Sequence, residues 1–145
     1  MVKFITVEET IPARWAALRS GKPREDCYIV QDSLPDSFHT GFEKEGEIIG
    51  TASFFPVSHE GQPGKGWQLR MMGVMPEYQG QGIGEAVLLL GIEHLRKDTS
   101  IDYLWCNARE NAFNFYQKNG FEFISDFFDI PGIGPHKTMI KSLKP

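Results

Sequence analysis

Apolar positions recur along the chain with two different periods. In "ETIPARWAALRS" (9–20), Ile11, Trp15 and Leu18 fall four and three residues apart, the spacing of an amphipathic helix, with Pro12 suited only to its first turn. A wider apolar face runs through Val87, Leu88, Leu90, Ile92 and Leu95 within residues 82–97, and Arg96-Lys97 suit its C-terminal end. A third helix is predicted over "ENAFNFYQKNG" (110–120), stopped by Asn119-Gly120. The strand-like runs are "KFITV" (3–7), "IDYLWC" (101–106), "FEFIS" (121–125) and "HKTMIKS" (136–142), with "FHTGFEK" (38–44) and "EIIGTASFFPV" (47–57) forming a hairpin about Glu45-Gly46. "WQLRMMGV" (67–74) alternates, setting Trp67, Leu69 and Met71 on one face and Gln68, Arg70 and Met72 on the other. Cys27–Val30 reads as a short extended piece; "SHEGQPGKG" (58–66) and "DIPGIGP" (129–135) read as loops. The order β-α-β-β-β-α-β-α-β-β predicts a mixed α/β sheet with helices on its faces, and 145 residues suit one domain, 1–145.

Composition narrows the partners. Eleven phenylalanines predict an aromatic-rich core. A net charge of −4 argues against a nucleic-acid binder and suits a cationic amine as a small-molecule partner. Cys27 and Cys106 are too few for a disulfide scaffold and form no C-x-x-C pair, so both are expected as reduced thiols in a cytoplasmic protein. "MVKFITVEET" lacks the apolar run of a signal peptide, and no stretch approaches the ~20 apolar residues of a membrane span, so no membrane partner is expected. The four histidines are scattered without zinc-site spacing, and no metal is expected.

The most specific stretch is "VMPEYQGQGIGEAVLLL" (74–90), where Gly80, Gly82 and Gly84 separate a strand from a helix. The first N–H groups of a helix have no internal partner, and the helix dipole adds positive charge there. Glycines let a phosphate approach that backbone, so Gln79 to Gly84 is a candidate pyrophosphate cradle. A flexible loop ending a strand would read the same way in isolation. The P-loop string G-x-x-x-x-G-K-[ST] does not occur, and G-x-G-x-G is not the dinucleotide spacing G-x-G-x-x-G.

Gln79-x-x-Gly82-x-Gly84 matches the Q/R-x-x-G-x-G/A signature of the GCN5-related N-acetyltransferase (GNAT) superfamily, and the chain resembles that family along nearly its whole length. "LRMMGVMPEYQGQGIGEAVLLLGIEHL" (69–95) is similar to the family's fourth strand, turn and third helix. "YLWCNARENAFNFYQKNGFEF" (103–123) is similar to its next strand, helix and strand. "GIGPHKTMIKS" (132–142) resembles a branch with G-I-P-H-x-x-M in its last hairpin, with one residue more.

The resemblance implies an acyl-CoA N-acyltransferase fold: a mostly antiparallel mixed sheet, splayed between its fourth and fifth strands, with helices on both faces. It implies an N-acetyltransferase using acetyl-CoA as co-substrate, without metal, on a primary amine of a small molecule or peptide. The pantetheine arm would lie near Met72, Gly73 and Val74. The pyrophosphate would sit on Gln79, Gly80, Gln81, Gly82, Ile83 and Gly84, with Glu85 following. Tyr116 takes the place of the family's general acid to the leaving thiolate; an unperturbed Tyr pKa near ~10 suits that task, and packing against the core is its structural alternative. Asn111 would cap its helix or bond the pantetheine arm, Lys118 would reach a CoA phosphate or be solvated, and Asn107 would line the cleft or cap. His136 would act as a base, contact the substrate or make an ordinary hydrogen bond. His39, Glu43 and the His59-Glu60 loop are candidate acceptor contacts. Cys106, on a strand with no evident histidine partner, is expected to be inert. A non-catalytic acyl-CoA sensor on the same fold is the alternative, and exposed sheet edges would allow a homodimer.

Overall fold

Eight strands and three α-helices organise the chain in the computed structural model, which describes residues 1–145. In chain order they are β1 (Val2–Ile5), α1 (Val7–Leu18), β2 (Phe38–Lys44), β3 (Glu47–Phe55), β4 (Gly66–Val74), α2 (Ile83–Arg96), β5 (Tyr103–Arg109), α3 (Phe113–Lys118), β6 (Glu122–Phe123), β7 (Phe128–Ile130) and β8 (Gly134–Ser142). The strands form one sheet in the order β1-β2-β3-β4-β5-β8-β6, with β7 also on β8, and every pair is antiparallel except β4–β5.

Local chemistry accounts for the element ends. Thr6 and Glu9 form a reciprocal cap, the Thr6 hydroxyl accepting from the Glu9 N–H and the Glu9 carboxylate from the Thr6 N–H, so α1 begins at Val7. Pro12 consequently falls in the helix interior and not in its first turn, on an exposed position of the helix. Glu45 and Gly46 both adopt positive φ, 52° and 79°, which gives the β2–β3 hairpin its tight turn.

Ser53 and Phe54, consecutive on β3, show how the sheet is covered. The Ser53 hydroxyl accepts from Arg14 of α1, while the Phe54 ring packs against Gly91 of α2. The two helices therefore lie on opposite faces, as period-two alternation requires. On the α2 face the main core gathers Phe54, Trp67, Leu69, Val87, Leu88, Ile92, Leu104 and Met139, with Tyr116 and Phe121 from the C-terminal half.

Two features of β4 open the sheet. It pairs with β5 only through Gly66–Gln68 against Tyr103–Trp105; beyond these residues both strands continue and diverge. On its other side, Thr51 faces Gly73 and Ser53 faces Arg70, so one β3 residue opposes two of β4, Met71 and Met72. Met71 carries this bulge at φ 53°, in the left-handed region that a methionine rarely adopts. The bulge reverses the expected alternation: Met72 packs with the α2-side core, and Gly73 faces Ala17 and Leu18 of α1.

Other boundaries also differ from those the sequence predicts. Two 3-10 turns, Arg24–Cys27 and Val30–Ser33, take up the ends of the extended piece expected at Cys27–Val30, and only Tyr28 and Ile29 between them are extended. β5 runs on to Arg109, so Asn107 lies within the strand opposite Thr138. β7 occupies part of the expected 129–135 loop.

Candidate active site

The divergence of β4 and β5 leaves a cleft of about 970 Å³. Its walls come from β4, the start of α2, β5 and α3; the end of α1 and the β7–β8 turn close its rim. A deep, half-apolar groove with a few polar groups is the usual form of a small-molecule site.

One end is the glycine turn. Gly80 and Gly82 sit at φ 80° and 78°, and Gly82 in that left-handed conformation precedes the first turn of α2. Open space lies over both Cα positions. From Gly80 through Glu85, no main-chain N–H has an acceptor within the protein; the first paired amide is Ala86, which donates to the Gly82 carbonyl at 3.1 Å. Six successive amides at a helix N-terminus form an anion-binding surface. Gln79 steadies the loop, its Nε2 donating to the Val74 carbonyl at 3.2 Å.

Tyr116 stands on the far wall. It is 8% exposed, packed edge-to-face on Phe115 and Phe121, and its hydroxyl points to the Met72 sulfur at 3.9 Å. Burial, helped by nearby Cys106, raises its pKa well above 10, so it remains a proton donor throughout the physiological range. Cys106 lies beside it in the cleft wall, and burial pushes its thiol up, away from thiolate chemistry. Asn107 accepts from the Thr138 hydroxyl through Oδ1 at 2.9 Å, which leaves its Nδ2 without a protein partner. At the rim, His136 is 3% exposed, with Nδ1 2.8 Å from the Gly134 carbonyl. A carbonyl can only accept, so Nδ1 carries the proton and Nε2 is left as an acceptor.

The cleft thus brings together Met72, Gly73, Val74, Gln79, Gly80, Gly82, Ile83, Gly84, Glu85, Asn107, Asn111, Tyr116, Lys118 and His136 of the sequence-derived candidates. Gln81 belongs to the turn but does not line the groove. Asn111 makes no cap bond: a 3-10 turn, Glu110–Ala112, precedes α3, and Ala112 occupies its cap position. His39 and Glu43 are elsewhere. The His39 ring is buried against the Ser53 hydroxyl at 2.7 Å and the Glu43 carboxylate pairs with Lys3, since β2 is separated from the cleft by β3. His59 packs on Trp105 and also lies outside the groove.

The sequence singled out neither Arg19 nor Arg70, yet both line the cleft. Arg70 Nη1 donates to Gln31 Oε1 at 2.6 Å. A cation in the middle of a central strand was the signal available.

Similarity to known proteins agrees with this geometry. The model of the acetyltransferase (GNAT) family matches residues 7–121. The chain is 36% identical to the uncharacterized N-acetyltransferase YitI of Bacillus subtilis, over 99% of this chain and 96% of that protein. It is 30% identical to the spermine/spermidine N(1)-acetyltransferase of the same bacterium, over 71% and 68% of the two chains. The fold is shared with an aminoglycoside 6'-N-acetyltransferase solved with coenzyme A, at TM-score 0.79 and 12% identity, covering 100% of this chain and 98% of that one. The chain belongs to the acetyltransferase (GNAT) family.

Proposed function

We propose that this protein is a cytoplasmic acetyl-CoA-dependent N-acetyltransferase acting on an amine of a small molecule or peptide, with Tyr116 as general acid. The observation that carries this reading is the run of unpartnered amides from Gly80 to Glu85, opening into the same cleft as Tyr116. A diphosphate matches those amides in charge and in size. The diverging segment Met72–Val74 is then in line to receive the pantetheine arm, with Asn107 Nδ2 as a donor from the facing strand.

Acetyl-CoA supplies the acyl group and the thiolate leaving group. Holding the thioester and the amine in one groove removes most of the entropic cost of their encounter. A main-chain N–H of the diverging β4 segment polarises the thioester carbonyl. The amine nitrogen attacks the carbonyl carbon, the C–S bond breaks, and the Tyr116 hydroxyl gives its proton to the departing sulfur. His136 Nε2 takes the surplus proton from the acetylated nitrogen.

Calorimetric titration with acetyl-CoA, alongside CoA release over a panel of amines, tests the proposal. Gly82→Glu places a carboxylate where the diphosphate would sit. With far-UV circular dichroism unchanged, it is expected to weaken acetyl-CoA binding by about a hundredfold or more. Native affinity in that variant would refute the cradle. Tight binding without CoA release on any amine would make the protein an acyl-CoA sensor.

A further inference from the structure

We infer that the acceptor is an amine that also carries an anionic group, a carboxylate or a phosphate, and that Arg70 with Arg19 recognises that group. The inference rests on the transferase reading above and specifies its second substrate.

Charge around Arg70 on the groove wall is the first observation. Three arginines cluster there, Arg14, Arg19 and Arg70, and the carboxylate among them is Asp32. That carboxylate is fully engaged: Oδ1 accepts from Arg14 Nη2 at 2.8 Å, and Oδ2 accepts from Arg14 Nη1 at 2.8 Å and from the Ile29 N–H at 2.9 Å. One bidentate pair is thereby closed and sealed from solvent, with Arg14 0% exposed. Arg19 and Arg70 line the groove wall without a carboxylate paired to either.

The bonding of those two side chains is the second observation. Arg70 is half-buried, and its protein partner is the neutral Gln31 side-chain oxygen. Arg19 reaches only the Leu18 carbonyl, at 3.3 Å. Neither takes part in a salt bridge. A partly desolvated guanidinium without an anion is costly, and its remaining N–H groups fit a carboxylate or phosphate in a forked pair. Desolvation and the repulsion of Arg19 and Arg14 lower the Arg70 pKa, the direction expected of a cation awaiting a counterion.

The third observation is what is missing from the groove. Glu85, the one acidic residue of the lining, stands at the start of α2 beside the glycine turn. Spermine, spermidine and aminoglycosides are polycations, and such a molecule would meet Arg19, Arg70, Arg109 and Lys118 along the groove and a single carboxylate, Glu85. The overall charge of −4 therefore misleads about the acceptor, because the cleft has the opposite sign to the surface as a whole.

The test uses the full chain and matched probes: the L-amino acids and the ω-amino acids glycine to 6-aminohexanoate, each against its carboxamide. Aminoalkyl phosphonates separate phosphate from carboxylate recognition, and spermidine is the polycation. Binding to the CoA-loaded protein is measured by calorimetry, and acetylation by CoA release. At least one acid is expected to bind about ten- to a hundredfold more tightly than its carboxamide, and spermidine weakly. Arg70→Gln is expected to raise the KM of that acid by a similar factor, with CoA affinity kept and the preference over the carboxamide lost, while Arg70→Lys restores part of it. Equal binding of acids and carboxamides, preference for spermidine, or an Arg70→Gln defect confined to CoA binding would each overturn the inference. Selective binding of an acid without acetylation would uphold the anion site and refute the transferase reading instead.

Discussion

At the residue scale, the proposed chemistry turns on one proton, and one buried charge pair bears on stability. Tyr116 must be protonated to serve as an acid, and its burial raises its pKa, so protonation outlasts pH 10. Tyr116→Phe is expected to lower kcat by about a hundredfold with acetyl-CoA affinity unchanged. The wild-type kcat is expected to show no alkaline decline below pH 10; a decline centred near 8 would assign the acid to another group. Arg14 and Asp32 make a separate prediction. Burial alone would raise the Asp32 carboxyl, but the Arg14 hydrogen bonds, the Ile29 N–H and the Arg14 charge hold it below its ordinary 3.8. The pair therefore contributes fully above that unfolded-state value and is lost as pH falls through the lower folded one. His39, kept neutral chiefly by burial, adds an acid loss that begins nearer its ordinary 6.5. Asp32→Asn strands the buried Arg14 cation, at about 3–5 kcal/mol, or a Tm drop of roughly 10 °C at neutral pH. Thermal melts from pH 7 to pH 2.5 should show the gap between variant and wild type closing below pH 4.

At the scale of elements, packing tolerances separate what was legible from what was not. Gly91 sits mid-α2 because a Cβ there would enter the Phe54 ring, which is fully buried and cannot yield. Gly91→Ala gains up to about 1 kcal/mol of helix propensity but costs roughly 1–3 kcal/mol or more in overpacking. A net destabilisation with a Tm loss of a few degrees is expected by calorimetry, and a stabilised variant would contradict the contact. The α2 helix itself was plain in the sequence, since its wide apolar face and its glycine turn point to the same start. The hairpin at Glu45-Gly46 was equally plain, because positive φ is cheap there. The bulge at Met71 left no such mark: a methionine is not a residue that advertises φ 53°, and only pairing with β3 reveals it. β7 escaped notice because three residues are too few for an alternation to register, and Pro131-Gly132 beside them read as loop. The predicted strand 101–106 stopped short of Asn107, but hydrogen bonding to β8 carries β5 past its apolar run to Arg109. His39 and Glu43 resembled acceptor contacts because position across a sheet is a tertiary fact that spacing does not encode.

At the scale of the whole molecule, the sheet is two sections joined at a narrow seam. β1 to β4 carry α1 and α2, and β5 to β8 carry α3; the direct pairing between them is the short parallel run Gly66–Gln68 with Tyr103–Trp105. A ligand lying in the cleft touches both sections, so its binding energy acts as a staple across the seam. At about one hundred times its Kd, acetyl-CoA adds about 2.7 kcal/mol, which for a chain of this length raises the Tm by roughly 5–10 °C. On the proposed reading the amides from Gly80 to Glu85 hold the diphosphate, so acetyl-pantetheine at the same concentration is expected to give little of this shift. Amide exchange supplies the spatial check: acetyl-CoA should slow exchange on both banks, in Met72–Val74 and Gly80–Glu85 on one and Asn107–Ala108 on the other. Protection confined to one bank would mean that the ligand does not bridge the opening. Equal protection by acetyl-pantetheine would mean that the glycine turn does not hold a diphosphate.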